Sequence, residues 1–403
     1  YSKWEMQYRK YFLQATMNWA HDLGHGHTLM ALAHYEMSDQ KRSTDANDTM
    51  SAIPVRYQGL SAKVGYNYND TYIVDGNFGY TGSENFEHGK QFGFFPAVSA
   101  GWVVSEESFV KKAMPWLDLF KIRASYGEVG NDQLRTSLTD DKTRRFPYIS
   151  LVSTDDGGSY TFGGTSNLTW EVAKKYDIGV DFSIFNGKVT GTVDYFVDKR
   201  DDIFMQRNQM PLTTGLADQT PMANVGKMKS VGWDGNIAFT QQIGQVSLQL
   251  RGNFTYQKTD ILDMDEAANE LWYKMNKGFQ LNQSRGFIAL GLFKDQEDID
   301  RSPSQASLAN KTILPGDIKY KDVNGDGVIT TDDEVPLGYR QQPGLQYGIG
   351  LSASWKNWNF SMLLQGTGKC DFFVGGSGPH AFHDGRTGNI LQVMVDGNRW
   401  IPK

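Results

Sequence analysis

The chain has 403 residues, 39% of them apolar and 21% charged, with a net charge of -6. No run of 18 or more apolar residues occurs, which excludes a helical membrane protein, and the mild negative charge gives no basic footprint for nucleic acid. The lone Cys370 excludes an internal disulfide, while the length allows either several soluble domains or one large barrel.

A transmembrane barrel keeps a polar average composition because its strands alternate lipid-facing and lumen-facing residues. The 13% aromatics and 43 glycines have uses in such a wall, at the membrane interfaces and in turns and crowded positions. Tyr1 is preceded by no leader, and Arg399 to Lys403 read as a loop containing Pro402, so the chain is expected to be part of a longer protein.

In chain order, the first signal is a turn between Asp22 and His27, where His21, His25 and His27 gather around Gly24 and Gly26. Imidazoles this close have the chemistry for zinc or nickel, but the spacing is not that of a structural zinc site and only Asp22 lies nearby. A flexible rim turn is expected. Leu60, Ala62, Val64, Tyr66 and Tyr68 then alternate with Ser61, Lys63, Gly65 and Asn67, the period of a strand with one apolar face. Asn69-Asp70 turns the chain, and Tyr72, Val74, Phe78 and Tyr80 resume the alternation.

The pattern repeats. Ile178, Val180, Phe182 and Ile184 lead into Asn186-Gly187, which supplies positive φ angles for a tight hairpin, and Val189, Val193, Tyr195 and Val197 follow. Further hairpins turn at Ile243-Gly244 and Lys356-Asn357, the latter preceded by Leu345, Tyr347, Ile349, Leu351, Ala353 and Trp355. One apolar face per strand suits a soluble sandwich as well as a barrel. Link lengths separate the two, because tight links near Asp22–His27, 69–70, Ser105–Trp116, 186–187, 243–244 and 356–357 alternate with long excursions. These lie near Ser38–Arg56, Thr81–Gln91, Asn131–Ser166, Arg207–Ala223 and Thr259–Gly344. Short turns at one rim and long loops at the other belong to an outer-membrane barrel. The reading is all-β: a transmembrane antiparallel up-and-down barrel wall of about twelve strands, with Leu60, Val64, Tyr66, Ile178, Val180, Val193, Tyr347 and Leu351 facing lipid.

Several stretches resemble the barrel of TonB-dependent transporters, notably residues 93–102 (Gly93-Phe94-Phe95-Pro96 to Gly101-Trp102), 120–131 (Phe120-Lys121-Ile122-Arg123 to Gly130-Asn131), Trp170-Glu171 and 176–181. The SusC-like branch is suggested by Asn224-Val225-Gly226-Lys227-Met228, by Gly291-Leu292-Phe293 followed by Gln296-Glu297, and by 316–327, from Gly316-Asp317 to Asp326-Gly327. The resemblance implies that residues 1–403 are part of a plugged barrel of about 22 strands, a size known for outer-membrane transporters. It also implies a multi-pass outer-membrane location in a Gram-negative bacterium, a SusD-like surface lipoprotein as lid, a TonB complex engaged through a segment outside this chain, and glycan or peptide cargo.

Catalytic constellations are weak. Glu106-Glu107 and Asp201-Asp202 would act as acid and base only if they met in a pocket, and solvated rim charges are expected instead. Ser377, His380, His383 and Asp384 contain the residue types of a hydrolase triad without a nucleophile elbow, and Gly375-Gly376-Ser377-Gly378 lacks a following helix to present amides to phosphate. The expectation is that the protein is not an enzyme. The sharper signal is 322–333, where Asp322, Asn324 and Asp326 supply oxygens at positions one, three and five, Gly327 stands at six and Asp333 at twelve. With the Val328 carbonyl and Thr330 this is the ligand pattern of an EF-hand-like loop, which predicts a structural calcium ion inside the long extracellular excursion 259–344. A tight acidic turn is the alternative. Active import is the leading functional expectation; the rivals are a passive porin and a secreted calcium-dependent glycan-binding or glycan-cleaving β-protein.

Overall fold

The computed structural model describes residues 8–42, 53–133, 151–154, 160–163, 167–207, 222–308 and 312–374, with isolated positions at 146, 148, 209, 390, 392 and 396. It divides into two compact units, one formed by residues 1–267 with 346–366 and the other by 268–345 with 367–403.

The first unit is one antiparallel sheet of twelve strands in next-neighbour order. Its strands are β1 (Tyr8–Gly24), β2 (His27–Arg42), β3 (Val55–Tyr68), β4 (Tyr72–Ser83), β5 (Phe92–Val103) and β6 (Leu117–Asn131). After the short hairpin β7 (Leu151–Thr154) and β8 (Tyr160–Gly163), the sheet continues with β9 (Glu171–Ile184), β10 (Val189–Gln206), β11 (Met222–Ile243) and β12 (Val246–Asp263). The loop strands β13 (Gln283–Gly286), β14 (Ala289–Leu292), β15 (Ile318–Tyr320) and β16 (Val335–Arg340) follow, and β17 (Leu345–Trp355) and β18 (Trp358–Gly368) complete the sheet.

The tight links stand where the turn chemistry predicts them. Asn69 and Asp70 adopt positive φ of 50° and 52°, and Phe185, Asn186 and Gly187 do the same at 58°, 59° and 76°, the left-handed geometry that Asn and Gly tolerate. Between β5 and β6 a single 3₁₀ turn (Val104–Glu106) and α1 (Ser108–Ala113) make the link. Two boundaries differ from the sequence reading. The sheet runs through Thr259 to Asp263, which pair with β11, and β2 continues to Arg42, because ladder hydrogen bonds carry the strands beyond the point where apolar alternation fades.

Ladder register sorts the side chains. Leu60, Val64, Ile178, Val193 and Tyr347 stand exposed on one face, with Tyr66, Val180 and Leu351 half-buried beside them. A single sheet with an exposed apolar face is not a sandwich, whose apolar residues would interdigitate in a dry core. The described wall has a small satellite core instead: Phe86 of the β4–β5 link and Leu168 and Trp170 just before β9, packed with Phe204 near the long-loop end of β10.

Candidate functional site: the polar face of the wall

The face opposite the apolar one is built from the alternate residues of the same strands. Register places Lys121 across from Asp181, Arg123 across from Gly179, Gly179 across from Asp194, and Asp194 across from Asp234. Arg123 is the hub. Its Nε donates to Asp181 at 3.1 Å, one Nη lies 2.7 Å from Asp194, and the other lies 3.5 Å from Asp177, so one guanidinium ties β6 to both β9 and β10. The planar fork of arginine makes this possible where lysine, a point charge, could not.

Gly179 creates the room. A Cβ there would stand 2.0 Å from Asp194 Oδ1 and 2.7 Å from Arg123 Cζ, so the ion pair lies flat across the bare backbone of β9. Gly65 does the same for Asp75, whose Oδ1 would sit 2.5 Å from an added Cβ, and Asp75 in turn pairs with Lys63 at 3.4 Å. Asp198 and Lys175 form another cross-strand pair at 2.7 Å. The polar face is thus ion-paired across strands and hugs the wall. A groove of about 590 Å³ lies along it, lined by Tyr57, Lys63, Asn77, Phe95 and Trp170 among others, and a second of about 240 Å³ lies between Asp75, Lys121, Arg123 and Asp177. Neutralised charges, amides, hydroxyls and aromatic faces can hold a polar solute.

The remaining candidates fall into structural roles. His27 Nδ1 meets the Tyr66 hydroxyl at 2.7 Å and its ring packs on Tyr68, while His21 stacks on Trp19; no three acidic, His or Cys side chains among the described residues form a metal-holding group. Glu106 pairs with Lys111 at 2.5 Å, and Glu107 accepts from the Tyr72 hydroxyl and the Trp102 indole at 2.6 and 3.1 Å. Asp201 holds Lys174 at 3.1 Å. Gly375, Gly376, Gly378, Ser377, His380, His383 and Asp384 lie outside the described residues.

The second unit changes the picture of the long excursion. The sequence reading gives 259–344 only as a long excursion, yet Phe293 and Ile329 are buried within it, next to two small antiparallel pairs, β13 with β16 and β14 with β15. Isolated apolar residues with no periodicity converge only through tertiary folding, which is why no strand pattern announced them. In 322–333 the side-chain oxygens turn to the loop's own amides. Asp322 accepts from Gly325 and Gly327 at 2.7 and 2.8 Å, Asn324 from Asp326 at 3.1 Å, and Asp326 from Val328 at 2.8 Å. The fully buried Asp333 accepts from Val323 at 2.7 Å and Thr330 at 2.9 Å, and the Thr330 hydroxyl caps the short 3₁₀ turn of residues 331–333. The donor types suit a hard cation; their present partners are amides. The carboxylates Asp333, Asp332, Asp322 and Asp326 nonetheless act together: after burial, their charges are what raise the Tyr273 hydroxyl above the usual tyrosine range.

A next-neighbour antiparallel wall, apolar on one face and ion-paired on the other, with short links and long excursions at alternate strand ends, defines an outer-membrane β-barrel. Residues 2–362 match the family model described as TonB dependent receptor-like, beta-barrel, and the chain belongs to that family. It is 30% identical over 386 residues to TonB-dependent receptor P26 of Formosa agariphila, covering 89% of this chain and 37% of the relative. It is 24% identical over 325 residues to TonB-dependent receptor SusC of Bacteroides thetaiotaomicron, covering 75% of this chain and 30% of that protein. Among solved structures, the RagAB peptide importer in its open-open state superposes with a TM-score of 0.67 at 17% identity, over 91% of this chain and 41% of that one. The chain therefore spans about a third of the curated relatives it matches.

Proposed function

We propose that this chain is the wall section of an active outer-membrane importer of oligosaccharides or oligopeptides, working with a SusD-like surface lipoprotein and energised through a TonB complex. The observation that carries the reading is the two-faced wall: exposed apolar residues on one side, and on the other a lining of ion pairs laid flat over glycines. Such a lining keeps a wide passage polar without projecting fixed charges into it. Likeness in fold to the RagAB peptide importer supports the peptide class, and glycan cargo is what the resemblance to the SusC-like branch implies. No bond is made or broken in this role.

The test uses the full-length protein in its native membrane, with labelled oligosaccharides and oligopeptides offered separately. Uptake should disappear on deletion of the gene and again when the proton-motive force is collapsed. Uptake that survives uncoupling would instead establish the passive porin.

A second proposal is calcium in the 322–333 loop, through Asp322, Asn324, Asp326, Asp333, the Val328 carbonyl and Thr330. It is supported by the oxygen-only donor set and by the concentrated negative charge that Tyr273 experiences. These carboxylates do not stand together as a ready metal-holding group, so binding requires them to turn towards one another and present lone pairs that the amides leave free.

A further inference from the structure

The apolar face of the wall ends in an ordered way at its long-loop side. Across four strands Tyr126, Tyr176, Val197 and Val231 are in register, and the next row outward is Glu128, Lys174, Lys199 and Lys229. Tyr195 packs on Trp233 one row below, at 4.7 Å between ring centroids. Four aromatics spread over two rows, Tyr126 and Tyr176 with Tyr195 and Trp233, beneath a mainly lysine row make up the order expected at a membrane–water boundary.

Position along the strand agrees. From Val189 at the short-turn end to Lys199 is ten residues of β10; at about 3.3 Å each and a tilt of about 45° the lysines stand about 23 Å above that rim. The apolar band of a membrane barrel is about 25 Å tall. Because long loops face outside, this is the outer-leaflet boundary.

Not all of these charges are free. Lys174 is held by Asp201 at 3.1 Å, the Glu128 carboxylate accepts from the Tyr126 hydroxyl at 2.5 Å, and Asp260, in register with Lys229, gives one carboxylate oxygen to Lys258 at 3.0 Å and keeps the other buried without a hydrogen bond. Lys199 lies over the Tyr176 ring, its Nζ 5.9 Å from the centroid. Among the described residues neither Lys199 nor Lys229 has a carboxylate partner, though the two face each other across one ladder. Like charges directly opposed on a sheet destabilise it. An anion between them would remove that cost.

We propose that Lys199 and Lys229 form a seat for the phosphate of an anionic lipid headgroup. A lipid, and not a soluble anion, fits because the seat opens onto apolar wall: Ile178, Trp233 and Ile237 stand exposed below it, where an acyl chain would lie. The lysines bind the phosphate and the band beneath holds the tail.

The experiment takes the full-length protein, purified in detergent, and measures bound phosphatidic acid by native mass spectrometry, with diacylglycerol and inorganic phosphate as separate probes. Lys199→Gln and Lys229→Gln should each weaken phosphatidic acid binding about fivefold, and the double variant about 25-fold, while Lys356→Gln in the opposite rim turn leaves it unchanged. Diacylglycerol should bind poorly, and millimolar inorganic phosphate should not displace the lipid. Retention of phosphatidic acid within twofold of the parent in both single variants overturns the seat, and so does displacement by inorganic phosphate, which would mark a soluble-anion site. Heat-modifiable gel mobility establishes that each variant has folded, and the single variants carry the test if the double does not.

Discussion

Gly179 lies in register between Arg123 and Asp194, so placing a methyl group there is a direct probe of the hub. The added Cβ would fall 2.0 Å from Asp194 Oδ1, where ordinary contact needs well over 3 Å, and the carboxylate must move more than about 1 Å. That breaks the 2.7 Å contact with Arg123. A hydrogen bond to a charged group contributes about 1.5–3 kcal/mol, and the lower half applies because the Arg123 side chain is 33% exposed. Alanine also restricts the unfolded chain, which offsets about 0.5–1 kcal/mol. Gly179→Ala should therefore destabilise the wall by about 0.5–1.5 kcal/mol. In an Asp194→Ala background the same substitution should cost less, since the nearest clashing oxygen is gone and only the flexible end of Arg123, 2.7 Å from the added Cβ, must yield. The assay is urea unfolding of the full-length protein in lipid vesicles, followed by tryptophan fluorescence for all four corners of the cycle. Additive costs within about 0.5 kcal/mol would refute the glycine slot.

Three further outcomes are expected. Val193→Lys, on the lipid face of β10, should cost about 2–4 kcal/mol in vesicle refolding if it lies near mid-bilayer; an unchanged midpoint would turn the wall inside out. The 322–333 loop should resist protease better with millimolar calcium than with chelator, and Asp326→Ala should abolish the difference, whereas identical cleavage in all three leaves only the acidic turn. Asp298, on α2 (Gln296–Asp300), is held below the usual carboxylate range by Lys319 Nζ at 2.8 Å and then by the Lys294 amide. Its contribution is therefore fully present above the ordinary Asp value of about 3.9 and lost as pH falls through the lower folded value. Hydrogen exchange over residues 295–301 should rise only in that acidic window, and Asp298→Asn should remove the step.

The wall was legible because two local signals agree: period-two alternation and turn residues suited to positive φ, as at Asn69-Asp70 and Asn186-Gly187. What lay beyond reach depends on register. Arg123 and Asp194 are far apart in sequence and meet only because Gly179 stands between them, and Lys199 and Lys229 become neighbours only once β10 and β11 are aligned. Asp177 and Asp181 alternate with the apolar residues of β9, but nothing local distinguishes a hub partner from any other polar-face acid. In the second unit, Phe293 and Ile329 sit in stretches without periodicity, so their burial was invisible while the oxygen pattern of 322–333 was plain.

Next-neighbour strand order also governs how the sheet can be put together. Nine of the eleven ladders here join strands separated by about 15 residues or fewer, so each hairpin closes a modest loop and adds to an edge already formed, a low contact-order route. Two joints differ: β6 with β9, and β12 with β17, each of which must first bring together ends separated by a long insert. Closure entropy rises by only about 0.6 kcal/mol per doubling of loop length, so these joints are slow steps more than weak ones. An insert that folds upon itself, as the second unit does, shortens the effective tether. Sheets wired in this way grow or shrink by whole hairpins without rewiring the rest.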